Sequence, residues 1–273
     1  MTRDALPVTG TILDEIVAAR AEELDRVQCA VSLDGVRDAA EKAKPALDFR
    51  AALARPGISL IAEMKRSSPS GGELRPDLDP AAMAQTYVNA GAAALSVLTE
   101  PFYFKGGMAD LRAAGDVART HAVPVLEKDF VFDEYQVYEA RANGADAILL
   151  IVAILDDARL DALHQLAHEL GMSALVEVFD EEELEGAMKI DPPILGVNNR
   201  NLKTLETSLA HFEKIAPRVA DERILVAESG MKNGAAVKRM SNAGADAVLV
   251  GEALMRAGEG TGSLASQLLD GDQ

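Results

Sequence analysis

Asn89-Ala90-Gly91-Ala92-Ala93-Ala94-Leu95, Asn143-Gly144-Ala145-Asp146-Ala147-Ile148-Leu149 and Asn242-Ala243-Gly244-Ala245-Asp246-Ala247-Val248 are three versions of one pattern. In each, a helical stretch meets a glycine, turns within a few residues and continues as a buried apolar run. A helix-to-strand unit that recurs along a chain points to a repeated βα architecture.

Short apolar runs mark candidate strands at 58–63, 94–98, 123–127, 147–151, 174–178, 194–198, 224–228 and 247–250. They lie roughly 20–35 residues apart, the spacing that βα units produce. Helical patterns fall between them, most clearly at 80–90, 133–142, 156–170 and 232–243. Eight parallel strands in a chain of 273 residues close into a barrel more readily than they spread into an open sheet. An open doubly wound sheet is the alternative, but no G-x-G-x-x-G follows the first strand. The expectation is a single (β/α)8 TIM barrel over residues 46–273 with an N-terminal helical extension over residues 1–45. That extension contains an amphipathic helix opening Ile12-Leu13-Asp14-Glu15-Ile16-Val17, with Thr11 as its cap. It is read as packed on the barrel, not as a separate domain.

Hydrophobic residues make up 48% of the chain and charged residues 26%, enough for a sizeable core and a soluble surface. The longest apolar run, 147–155, is too short to span a membrane. The start, Met1-Thr2-Arg3-Asp4, has no basic region leading into an apolar core, so no export signal is expected. One cysteine, Cys29, excludes an internal disulfide, fits a reducing cytoplasm and reads as a small apolar residue of the extension. A net charge of −17 argues against nucleic acid or an anionic membrane as partner. A cytoplasmic monomer acting on a small molecule is expected, and an anionic substrate would need local positive groups.

In a barrel of this kind the chemistry lies at the C-terminal strand ends. The first end is the richest: Ile58-Ser59-Leu60-Ile61-Ala62-Glu63-Met64-Lys65-Arg66-Ser67-Ser68-Pro69-Ser70-Gly71. Alternation puts Glu63 and Lys65 on one side of the strand. Strand three ends in Lys128, strand five carries Glu177, strand six ends in Asn198 followed by Arg200, and strand seven ends in Glu228-Ser229-Gly230. Parity pairs Leu126 with Lys128, Leu175 with Glu177 and Val226 with Glu228, so the polar groups form the top inward layer. Carboxylates and lysines crowded together shift one another's pKa, as proton transfer near neutral pH requires. Read singly, each is equally a solvated rim charge or a structural ion pair.

Gly230 and Gly251, in the turns after strands seven and eight, allow close backbone approach and suit a phosphate held by N–H groups. Ordinary βα turns need glycine too. Glu252, next in line, would contribute its N–H and not its carboxylate. His164 and His168 are spaced as metal ligands can be, but lie on an outer helix without the glutamate of the zinc-protease pattern. His121 falls at the barrel bottom. The acids Asp180-Glu181-Glu182-Glu183 suit a helix start.

At these strand ends the chain resembles the indole-3-glycerol-phosphate synthase family, over nearly its whole length. The resemblance rests on Ile61-Ala62-Glu63-Met64-Lys65-Arg66-Ser67-Ser68-Pro69-Ser70, Leu98-Thr99-Glu100, Lys128-Asp129-Phe130, Leu149-Leu150-Ile151-Val152 and Leu175-Val176-Glu177-Val178. It continues in Gly196-Val197-Asn198-Asn199-Arg200-Asn201-Leu202, Ala227-Glu228-Ser229-Gly230 and Leu249-Val250-Gly251-Glu252-Ala253-Leu254-Met255. It implies ring closure of 1-(2-carboxyphenylamino)-1-deoxyribulose 5-phosphate, with loss of CO2 and water, to indole-3-glycerol phosphate in tryptophan biosynthesis. No metal or organic cofactor is implied.

By that resemblance Lys128 is the general acid at the ketone. Lys65 meets the substrate carboxylate and helps dehydration, and Glu177 is the base in dehydration. Glu63 and Asn198 orient the lysines and stabilise positive charge on the ring nitrogen, while Glu228 and Ser229 hold hydroxyls. The phosphate site maps onto Ser68, Gly230, Gly251 and Glu252. The benzene pocket maps onto Pro69, Phe104, Phe130, Leu149 and Leu202, and Arg200 sits beside the carboxylate. Two positions depart from the pattern. Glu252 stands where many members have serine, and Glu127 stands where a neutral or basic residue is frequent; its parity is outward. Length leaves room for one barrel, so fusion to the preceding pathway isomerase is not expected. Rival readings are a Schiff-base aldolase using Lys65 or Lys128, a phosphosugar-binding sensor, and phosphoribosylanthranilate isomerase, which places a cysteine early in its barrel where this chain has none.

Overall fold

A computed structural model describes residues 6–219 and 222–270. Residues 1–5, which include the Met1-Thr2-Arg3-Asp4 start and the tip of the expected extension, lie outside the described residues, as do 220–221 and 271–273 of the expected barrel range. Eight parallel strands close into a barrel in sequence order: β1 Ser59–Met64, β2 Ala94–Leu98, β3 Val125–Lys128, β4 Ala147–Ile151, β5 Ser173–Val178, β6 Ile194–Asn198, β7 Ile224–Glu228 and β8 Ala247–Val250. β8 pairs back onto β1, with Ser59 opposite Ala247 and Ala62 opposite Val250. Strand three begins two residues later than expected, at Val125. Pro124 lacks a backbone donor, so the ladder begins at Val125, although the Pro124 carbonyl still accepts from Leu95 N–H at 3.0 Å.

The repeated glycine turns have one physical construction. Gly91, Gly144 and Gly244 all have φ near +90° (+89°, +89° and +98°), a region open to glycine but strained for other residues. The next residue's N–H returns into each helix, Ala92 to Tyr87, Ala145 to Ala140 and Ala245 to Met240, at 3.1, 3.0 and 3.0 Å. The aspartates that follow cap neighbouring strands at the barrel bottom. Asp146 accepts from Val125 N–H at 2.9 Å, and Asp246 from Leu225 N–H at 2.8 Å.

Twelve α-helices, three single-turn 3-10 helices and a small antiparallel ribbon of Ser67–Ser68 with Gly72–Glu73 complete the described fold. α1 Ile12–Ala30, α2 Leu33–Lys42 and α3 Phe49–Leu53 precede β1. The outer layer is α4 Pro80–Asn89, α5 Met108–Thr120, α6 Glu134–Ala142, α7 Asp157–Glu169, α8 Glu181–Met188, α9 Leu209–Ile215, α10 Gly234–Asn242, α11 Glu252–Arg256 and α12 Thr261–Asp270. Thr11 caps α1, its hydroxyl accepting from Leu13 N–H at 3.1 Å, and Asp180 caps α8. α1 buries Leu13, Ile16, Val17, Arg20 and Leu24, the helical spacing of one face. α2 lies on α6, where Arg37 meets Glu134 at 2.8 Å, and Tyr135 O–H donates to Val31 O at 3.0 Å. α3 approaches the bottom with Phe49 and Leu53 fully buried. Cys29 is exposed near the end of α1, off the face that the helix buries. His164 and His168 are on α7, outside the barrel. None of the described helices is long and apolar enough to cross a membrane.

Candidate active site

Every residue singled out from the strand ends lines one cavity of about 650 Å³ at the C-terminal mouth of the barrel. Glu63, Lys65, Lys128, Glu177, Asn198, Glu228 and Ser229 meet there with Ser68, Pro69, Phe104, Phe130, Leu149, Arg200, Leu202, Gly230, Gly251 and Glu252. Strand register explains the convergence. Asn198 lies opposite Glu228, and Glu177 lies opposite Gly196, two residues before Asn198, so the polar side chains of neighbouring strands emerge within one pleat of each other.

The ring is hydrogen-bonded rather than loosely assembled. Lys65 Nζ pairs with Glu63. Lys128 Nζ lies 3.3 Å from Glu177 Oε2 and 3.4 Å from Glu228 Oε2. Asn198 Nδ2 donates to Glu177 Oε1 at 3.0 Å, and Asn198 Oδ1 accepts from Arg200 N–H at 3.0 Å. Asn198 therefore orients Glu177, and reaches Lys128 through that carboxylate rather than touching a lysine. Tyr87 O–H donates to the Glu63 carbonyl at 2.9 Å, fixing the end of β1 from behind.

Two glycines, one within β6 and one just after β8, make room for the acids. A Cβ on Gly196 would stand 2.2 Å from Glu228 Oε1, and one on Gly251 would stand 2.1 Å from Glu63 Oε1. Neither carboxylate could take its observed place beside an alanine. An isolated glycine within a strand signals such close approach, and Gly196 in Ile194–Asn198 carries that signal.

Electrostatics follow from this crowding. Burial first, and then the charge on Glu177, pushes the Glu228 carboxyl up to about 8, while the Lys128 ammonium beside it pulls the other way. Its Oε1 is buried with no hydrogen-bond partner among the described groups. For Lys128, burial alone would lower the pKa, but the carboxylates of Glu228, Glu177 and Glu63 outweigh it and hold the ammonium charged. The site at rest is a charged lysine against an ionisable cluster that shares too few counter-charges to be fully ionised.

Directly after Glu228, Ser229 and Gly230 both have positive φ, +63° and +93°. Strain at Ser229, a non-glycine residue, marks a turn held by its surroundings. α11 starts directly after Gly251, leaving first-turn N–H groups without intrahelical partners. The Glu252 carboxylate turns to Arg200 at 3.4 Å and Arg256 at 3.1 Å. Burial opposes ionisation of Glu252, but Arg256, Arg200 and Lys65 together hold its pKa below the ordinary value. The apolar side holds Phe104 and Phe130, with ring centroids 6.0 Å apart, and Pro69, Leu149 and Leu202.

The wall also contains Ile12, Leu13 and Ile16 of α1, together with Met231 and Thr207, none of which strand-end reasoning identified. No local pattern marks a helix residue as facing a site formed by strands far along the chain. Glu127 does point away from the cavity, as parity requires, but it is fully buried and accepts from Thr99 Oγ1 at 2.7 Å.

Comparison with known proteins places this geometry. Residues 13–266 match the family model described as indole-3-glycerol phosphate synthase. The chain is 44% identical over 263 residues to the indole-3-glycerol phosphate synthase of Mycolicibacterium smegmatis, covering 96% of each chain. It is 49% identical over 250 residues to that of Polaromonas sp., covering 90% of this chain and 94% of the relative. Among solved structures, the thiamine phosphate pyrophosphorylase of Pyrococcus furiosus is similar with a TM-score of 0.61 at 18% identity, over 82% of this chain and 97% of that one. At that identity the likeness is one of fold. The matched span includes the strand ends that build the cavity, and the chain belongs to the indole-3-glycerol phosphate synthase family.

Proposed function

We propose that the chain closes 1-(2-carboxyphenylamino)-1-deoxyribulose 5-phosphate to indole-3-glycerol phosphate, releasing CO2 and water, in tryptophan biosynthesis. The observation that carries this reading is the two-lysine, three-carboxylate ring at one barrel mouth, facing both an apolar pocket and a glycine turn. In ring closure the aromatic carbon bearing the carboxylate attacks the ketone, and the Lys128 ammonium gives its proton to the forming alkoxide. An alkoxide is more basic than an amine, so an ammonium held charged by carboxylates still donates. Loss of CO2 restores the aromatic ring. The hydroxyl then leaves as water with a proton from Lys65, while Glu177 removes the proton from the carbon beside the nitrogen.

Glu63 holds Lys65 in place and offers negative charge to the ring nitrogen as it becomes electron-poor. Glu228 and Ser229 bind hydroxyls. The phosphate sits on the backbone at Gly230 and Gly251, with Ser68 nearby and the Glu252 carboxylate drawn aside by its arginines. Phe104, Phe130, Pro69, Leu149 and Leu202 enclose the benzene ring, and Arg200 with Lys65 meets its carboxylate. We assign residues 1–45 to a helical extension and 46–273 to the catalytic barrel, acting as a cytoplasmic monomer.

Incubation with the carboxyphenylamino-deoxyribulose phosphate should produce indole fluorescence and one CO2 per turnover. No fluorescence from folded protein would overturn the reading. Borohydride added during turnover should trap no substrate on lysine; a covalent adduct would favour the aldolase chemistry instead.

A further inference from the structure

Arg20 lies on α1, outside the barrel, yet is only 3% exposed. Its Nε donates to Asp129 Oδ2 at 2.7 Å, and its Nη2 reaches Glu139 Oε2 on α6 at 3.4 Å. Asp129 is the residue immediately after Lys128. It is itself 1% exposed, and its other oxygen accepts from Phe130 N–H at 2.9 Å. On the other side of Lys128, Glu127 is tied to Thr99. The strand end is therefore held on both sides of the lysine, by Glu127 outside the barrel and by Asp129, which also borders the cavity, while Lys128 itself turns inward to Glu177 and Glu228.

The same helix lines the cavity. Ile16 lies one turn before Arg20, and Ile12 and Leu13 lie a turn further back; all three face the cavity. One guanidinium thus joins the apolar wall to the segment that carries both Lys128 and Phe130. Helix docking alone does not require this arrangement, because apolar residues dock helices as well as buried ion pairs do. An arginine fork fixes direction as well as distance.

We propose that Arg20 is a positioning residue for the reaction: through Asp129 it sets the angle at which Lys128 enters the cavity, and through α1 it holds the apolar wall in register with that lysine. The proposal rests on the reading of Lys128 as the acid. A misplacement of about 1 Å at a reacting group can cost about 10²-fold in rate.

The test uses the full chain and the carboxyphenylamino-deoxyribulose phosphate, with kcat, KM and thermal midpoint measured for Arg20→Met, Arg20→Lys, Asp129→Asn and Arg37→Met. Arg37 clips the extension to α6 through Glu134 without touching the Lys128 segment, so it controls for docking alone. Arg20→Met should lower kcat about 10- to 100-fold with KM changed less than about 3-fold. Arg20→Lys should recover part of that loss, and Arg37→Met should leave kcat within about 2-fold. If Arg20→Met does not fold, Asp129→Asn, which keeps the shape and removes the charge, decides by the same ratio. A kcat unchanged in these variants, or an equal loss in Arg37→Met, overturns the proposal. Wild-type turnover together with its loss in Lys128→Ala establishes the underlying reading separately, so failure of either is recognisable.

Discussion

Gly196→Ala is the sharpest perturbation the structure offers. The position is buried within β6, and its φ is not in the left-handed region, so the backbone itself accepts alanine. The added methyl would stand 2.2 Å from Glu228 Oε1 and 3.3 Å from both Glu228 Cδ and Leu175 Cδ1. Ordinary contact begins near 3.4 Å, so the carboxyl must retreat by at least about 1.2 Å, and its link to Lys128 at 3.4 Å must stretch or re-form. Displacements of that size at a reacting centre cost about 10²-fold, or ~2.7 kcal/mol of barrier. Overpacking of a well-filled interior costs about 1–3 kcal/mol of stability, offset by about 0.4–1 kcal/mol from the stiffer unfolded chain. The variant should fold, melt a few degrees lower and turn over about 10²-fold more slowly in a continuous indole-fluorescence assay. Turnover within about 3-fold of the parent would refute the argument that Glu228 must sit where this glycine lets it.

Three further outcomes follow from the same ring. Lys128→Ala should lower kcat by at least about 10²-fold with a modest change in KM, as loss of a proton-transfer group does; near-normal turnover would remove Lys128 from its role. Glu228 holds its proton to about pH 8 when folded, against 4.5 ordinarily, so the folded state binds more protons than the unfolded state between those values. Its contribution to stability therefore declines as pH rises from about 4.5 through about 8, and the stability difference between parent and Glu228→Gln, measured by urea melts, should shift in favour of the glutamine as pH rises. A difference that is flat over that window would contradict the assignment. Glu252→Gln removes a like charge beside the phosphate turn and frees two arginines, so KM for the phosphorylated substrate should fall about 5-fold, ~1 kcal/mol; a raised KM would show that the carboxylate supports binding.

The barrel was legible because its punctuation is local. Gly91, Gly144 and Gly244 each end a helix in the same backbone conformation, so their sequence echo is a structural echo. The acid–base groups were legible because strand parity is local as well: once Glu63, Lys128, Glu177 and Glu228 sit at strand ends, closure of the sheet brings them together. Contacts made only by closure were not legible. Ile12, Leu13 and Ile16 reach the cavity because α1 lies against the barrel, and Arg20 reaches Asp129 across 109 positions of sequence. Asn198 meets Lys128 only through Glu177, to which its amide donates, a link that strand parity does not display.

The central claim is spatial, and a crystal structure with bound indole-3-glycerol phosphate tests it most directly. The product's phosphate should rest on the backbone at Gly230 and Gly251, its indole ring should lie against Phe130 and Leu149, and Lys128 Nζ should be within hydrogen-bonding reach of the glycerol end of the ring system. A product bound elsewhere, or bound at this mouth with Lys128 turned away from it, would contradict the account.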